Sequence, residues 1–107
     1  MAYTTPEQSV QQKIISYLNK LEEKGYPLEH HRREATGANY RKGSSDLFFF
    51  WGPFHVEVEV KAPGGELSTM QEKWKERMDK HGTPCWVIDN IEIFKQLMQK
   101  NFLNKKD

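Results

Sequence analysis

Asp46-Leu47-Phe48-Phe49-Phe50-Trp51-Gly52-Pro53-Phe54-His55-Val56-Glu57-Val58-Glu59-Val60-Lys61 reads as two strands joined by a tight turn, and the rest of the chain can be placed around it. Leu47 to Trp51 is apolar and aromatic enough to predict a strand buried on both faces, bounded by Gly43 behind and Gly52-Pro53 ahead. The second run alternates. Val56, Val58 and Val60 fall on one face and Glu57, Glu59 and Lys61 on the other, because strand side chains alternate with period two. One face is then core and the other ionised.

If Gly52-Pro53 is a two-residue hairpin loop, Trp51 pairs with Phe54 and Asp46 lies across from Glu59, with Cβ atoms ~5 Å apart. Carboxylates that close repel unless a cation lies between them or one takes up a proton. The pattern therefore points to a metal site. A slip of one residue would turn Asp46 to the core face and remove it.

At 107 residues the chain predicts a single domain spanning 1–107, large enough for one core without disulfides. Its 36% hydrophobic and 29% charged composition is that of a soluble globular protein rather than a disordered one. No run approaches ~18 apolar residues and no signal-peptide core is evident, so the expectation is a cytoplasmic protein with no membrane partner. Cys85 has no second cysteine to pair with and apolar neighbours, which predicts a buried thiol. A net charge of +1 neither demands nor excludes nucleic acid; what matters is where the basic residues lie.

Upstream, Thr5-Pro6-Glu7-Gln8 predicts a capped helix running to about Lys24, with Val10, Ile14, Tyr17, Leu18 and Leu21 in its core stripe and Gly25 and Pro27 ending it. Leu28 to Arg33 reads as a polar strand near a sheet edge, and Ala35 to Ser45 as a loop. Downstream, Ala62-Pro63-Gly64-Gly65 ends the alternating strand and leaves Lys61 at its rim. Ser68 and Gln71 make a second capping box, on a helix whose buried stripe would be Met70, Trp74 and Met78. Cys85 to Ile88 is a short strand, and Asp89 and Glu92 open a last helix with Ile91, Phe94, Leu97 and Met98 inward. The order is α-β-β-β-α-β-α. Its βαβ crossover makes the fourth strand parallel to the third, in a mixed α/β sheet flanked by helices.

Asp46, Glu59 and Lys61 carry the chemistry in this reading. Two carboxylates and a strand-end carbonyl such as that of Val60 suit a hard cation like Mg²⁺, which prefers oxygen and keeps waters. An ammonium beside them can position water and stabilise charge on a phosphate under attack. Valine alternating with Glu and Lys is also what any half-exposed strand looks like, and a bare Glu-x-Lys carries little information. The Asp thirteen residues upstream of Glu59 makes the difference.

Ser45-Asp46, Glu59-Val60-Lys61, Gly64-Gly65-Glu66-Leu67-Ser68 and Gln71 resemble the PD-(D/E)xK nuclease signature in its virus-type replication-repair (VRR-NUC) form. The likeness is to small stand-alone phage members and covers the chain from Glu7 to the last helix. It implies a restriction-endonuclease-like αβββαβ core and Mg²⁺-dependent DNA cleavage, with Mn²⁺ able to substitute. It implies also that Asp46, Glu59 and the Val60 carbonyl hold the metal, that Glu7 approaches it from the first helix, and that Lys61 assists the attacking water with Gln71 in support. A phage-encoded protein would work in the host cytoplasm. The proline usual before the aspartate is Ser45 here, a change in turn geometry rather than in a ligand. Glu7 and Gln71 also have local explanations, as a first-turn acid and a capping-box partner. Glu57 reads either as a third acid near the metal or as a solvated surface residue.

Basic residues flank the loop into Asp46, at Arg32 and Arg33 and at Arg41 and Lys42 beside the aromatic Tyr40, and Lys73 begins a basic stripe on the second helix with Arg77 and Lys80. These are the candidate DNA contacts. Adjacent His30 and His31 point to opposite sides of a strand and cannot chelate together. The expected activity is a DNA endonuclease acting as a homodimer on branched DNA such as a Holliday junction. The alternatives are a catalytically silent DNA-binding or assembly subunit on the same fold, and a module that binds a protein partner.

Overall fold

The computed structural model describes residues 4–33 and 43–103. Helix α1 (Pro6–Glu23) is followed by strands β1 (Leu28–Arg32), β2 (Leu47–Trp51) and β3 (Phe54–Val60), helix α2 (Thr69–Lys80), strand β4 (Cys85–Ile88) and helix α3 (Ile91–Met98), which runs into a π-helical turn at Gln99–Leu103. The four strands form one mixed sheet in the order β1-β2-β3-β4. The first three are antiparallel and β4 joins β3 in parallel, as the βαβ crossover requires. Among the described residues no helix is long and apolar enough to cross a membrane.

The hairpin forms in the expected register, with Trp51 opposite Phe54 and Leu47 opposite Val58. Gly52, at φ 56°, takes the left-handed first position of the turn, which a side chain would strain. One face of the sheet is the core. Leu47, Phe49, Val56, Val58, Val60 and Ile88 pack there against Ile14 and Leu18 of α1 and Phe94 and Met98 of α3, all essentially inaccessible to solvent. Phe102, on the π-helical turn, closes the end of this layer by stacking on Trp51 with ring centroids 5.0 Å apart.

Both expected capping boxes are present. Thr5 and Gln8 start α1, and Ser68 and Gln71 start α2, each side chain satisfying a backbone N–H of the other. At α3 the cap is Asn90, whose side chain accepts from the Glu92 N–H. Asp89 instead accepts from the Gly64 N–H at 3.3 Å and ties down the turn after β3.

Three expectations fail on burial. Strand β2 is not covered on both faces: Phe48 is half-buried and Phe50 is 36% exposed, because among the described residues no helix lies over that part of the second face. The acidic face of β3 is not solvated: Glu57 and Glu59 are 1% and 3% exposed. Helix α2 has no buried stripe. None of its residues is fully buried and Met70 is 39% exposed, since α2 rests on the polar end of the sheet through hydrogen bonds rather than through apolar contact.

Candidate active site

Asp46 stands one residue before β2, and the hairpin register puts it on the same face as Glu57 and Glu59. Its Oδ2 accepts the Val60 N–H at 2.8 Å, which pins the carboxylate beside the last turn of β3. The Asp46 and Glu59 carboxyl groups are close enough to hydrogen-bond when one is protonated. Burial, then the negative charge and hydrogen bond of Asp46, with a smaller contribution from Glu7, raise Glu59 to about 8 against the partial opposition of Lys61. Glu59 is thus held largely neutral at pH 7 in the protein alone.

Helix α2 meets this pair at its first turn. Gln71 Nε2 donates to Glu59 Oε1 at 2.7 Å, while its Oε1 accepts from Lys61 Nζ at 2.9 Å and from the Ser68 N–H at 2.8 Å. The capping residue and the site residue are therefore one side chain. Its amide fixes one oxygen of Glu59 and the ammonium of Lys61 together. Glu59 Oε2 is buried without a hydrogen-bond partner. A buried acceptor in that state is costly and marks a place where a proton or a cation belongs.

What holds α2 in place is polar. Ser45, 1% exposed, accepts from Trp74 Nε1 at 2.8 Å through its hydroxyl and lies 3.7 Å from Cys85 Sγ. Trp74 and Gln71 are one helical turn apart, so the bond to Ser45 sets the height of Gln71 over Glu59. Gly43 completes the contact: a Cβ there would come within 2.7 Å of the Met70 backbone. Ser45 thus supplies a buried hydroxyl that links the start of β2 to α2.

Arg33 sits on the same face. Its guanidinium grips both oxygens of Glu57, donates to the Ser45 carbonyl at 3.3 Å, and lies over the Phe48 ring at 4.6 Å. His55 Nε2 also meets Glu57 Oε2. Glu57 is neither solvated nor a third acid at the pair; it is a buried partner of Arg33 and His55. Cys85 is buried as expected, and burial raises its thiol pKa.

The residues named from sequence thus divide. Asp46, Glu59, Val60, Lys61 and Gln71 come together, with the charge of half-buried Glu7 felt at Glu59. Arg33 is near, but its guanidinium is engaged. Arg32 pairs with Leu47 and so belongs to the opposite face of the sheet, exposed. Lys73 is exposed on α2, two residues from Gln71 and so turned away from Glu59. Tyr40, Arg41 and Lys42 lie outside the described residues. Sequence reasoning missed Trp74 and Ser45. The spacing of Trp74 from Gln71 was a usable signal, but a tryptophan at helical spacing reads first as core.

Among the described residues no three His, Cys, Asp or Glu side chains converge on a metal position. The donor set is smaller: two carboxylates, one with an unpartnered oxygen, and the carbonyl of Val60 at the strand end. That set suits Mg²⁺, which binds through one or two carboxylates and keeps waters, and does not suit a caged Zn²⁺. Compared with known proteins, the chain matches no family model, no curated protein and no solved structure.

Proposed function

We propose that this chain is a metal-dependent DNA endonuclease built on a restriction-endonuclease-like αβββαβ core of the PD-(D/E)xK, VRR-NUC type. The observation that carries the reading is the convergence of Asp46, Glu59, Lys61 and Gln71, with Glu59 Oε2 buried and unpartnered. An isolated sheet surface has no reason to bury one carboxyl against a half-buried second and leave one of its oxygens without a donor.

Asp46 and Glu59 would hold Mg²⁺, or Mn²⁺ in its place, with the Val60 carbonyl. When bound, such an ion supplies positive charge at a phosphate and makes water a nucleophile at neutral pH. Gln71 keeps Glu59 Oε1 occupied and so aims Oε2 at the site. Lys61, held by the same amide, stands where it orients the attacking water and offsets charge on the phosphate. The reaction is a one-step displacement, in which the water oxygen bonds to phosphorus as the bond to a deoxyribose oxygen breaks. One domain carries one such site, so paired cuts in branched DNA, a Holliday junction for example, require a two-fold dimer.

The test is a panel of labelled four-way junction, flap, duplex and single-stranded DNA incubated with Mg²⁺, Mn²⁺ or EDTA, using the natural protein, Asp46→Asn and Lys61→Ala. The expected result is metal-dependent cutting, strongest on the junction, lost in Asp46→Asn and much slowed in Lys61→Ala. Cutting in EDTA, or undiminished in both variants, sinks the mechanism. Binding without cutting makes the chain a silent DNA-binding subunit.

A further inference from the structure

The face of the sheet that carries Asp46 and Glu59 is roofed by α2 only near β4 and the end of β3, where Trp74 and Gln71 reach down. Toward β1 and β2 no described helix covers the same face, and it is aromatic. The His31 ring stacks on Phe48 at 5.3 Å, Phe50 meets Phe48 edge-on at 5.7 Å, and His55 lies 5.2 and 5.0 Å from the two phenyl rings. Phe50 is 36% exposed, and the side chains of His31 and His55 are 47% and 38% exposed. The Arg33 guanidinium joins this group to the site, 4.6 Å from Phe48 and 5.3 Å from Trp74.

We propose that this surface is a stacking platform for unpaired nucleotides next to the Asp46–Glu59 site. It rests on the DNA reading above but not on cleavage. Flat rings accept any base, because every base has a π face. Arg33 neutralises the buried Glu57, and the exposed carboxylate of Glu29, at the edge of the patch, is held by His31. Stacking selects the unpaired form, because a base can lie on the Phe50 ring only when its own face is not already covered by its neighbour in a duplex. A second copy of the chain is the weaker occupant. The patch is small, half-buried and free of aliphatic side chains, where a stable dimer buries about 800 Å² on each partner.

The experiment is fluorescence anisotropy in EDTA with a labelled single strand, a duplex of equal length and a fork, using the natural protein, Phe50→Ala, Phe50→Leu and Glu59→Gln. Thermal melts confirm that each variant folds, and Phe50→Leu keeps apolar bulk without a ring should Phe50→Ala unfold. The single strand and fork should bind more tightly than the duplex. Loss of the Phe50 ring should weaken them on the order of tenfold and the duplex by less than about twofold. Glu59→Gln should keep the preference. An equal loss on all three DNAs, or no loss, overturns the platform, as does a natural protein that sediments as a dimer and a Phe50→Leu variant that sediments as a monomer. If no DNA is cut in Mg²⁺ while the ring-dependent preference persists, the nuclease reading fails and the platform stands. If cutting occurs without that preference, the platform alone fails.

Discussion

Glu57 and Glu59 are two residues apart on one face of one strand, both almost inaccessible, yet they behave as opposites. Glu57 is surrounded by donors: the Arg33 guanidinium takes both its oxygens and His55 shares one. Glu59 has a single donor, the amide of Gln71; a second carboxyl faces it, and one of its oxygens has no partner. The first is an ion pair that holds the residue after β1 to β3. The second is a strained site that only a proton or a cation relieves. Burial of an acid therefore does not mark chemistry; what faces it does.

The largest effect should come from breaking the satisfied member. Glu57→Gln leaves the Arg33 charge uncompensated between Phe48 and Trp74 and should cost about 3 kcal/mol or more of stability in urea unfolding. Glu59→Gln, which places a neutral amide where a charge is unwelcome, should be neutral or stabilising in the same measurement. Two variants of equal cost would erase the distinction. Next is the cation beside Glu59: Lys61→Ala should lower single-turnover cleavage roughly 10²- to 10³-fold while leaving the melting curve nearly unchanged.

The pH dependence sharpens the contrast further. Glu59 binds its proton more tightly folded, at about 8, than at its ordinary value of 4.5. Without divalent ions its contribution to stability is therefore full below about pH 4.5 and is lost as pH rises through about 8, by at most about 1.4 kcal/mol per unit. Denaturation of the natural protein in EDTA should show that slope, and Glu59→Gln should lack it. Saturating Mn²⁺ should flatten it by favouring the ionised carboxylate. The smallest effect is indirect. Trp74→Phe removes the donor to the Ser45 hydroxyl and should cost about 1 kcal/mol, with faster amide exchange in the first turn of α2.

Much of this was legible in the chain. Capping boxes, the Gly52-Pro53 turn and the Val alternation predict element order, sheet direction and the Asp46–Glu59 register, because each depends on local rules. The failures share one cause. Strand β2 was expected to be covered on both faces and β3 on one only, because alternation says which side chains share a face but not what packs on it. Helix α2 reverses both expectations. It covers the acidic end of the sheet with Trp74 and Gln71 and leaves Phe50 bare. The pairing of Arg33 with Glu57 joins the residue just after β1 to β3, and nothing in the local pattern of either segment indicates it.

The most direct test is a titration of Mn²⁺ followed by electron paramagnetic resonance, on the natural protein, Asp46→Asn and Glu59→Gln without DNA. One site should fill in the natural protein, with affinity rising as pH approaches about 8, and it should be lost in both variants. Unchanged Mn²⁺ binding in both would contradict the assignment of Asp46 and Glu59 as the metal-holding pair.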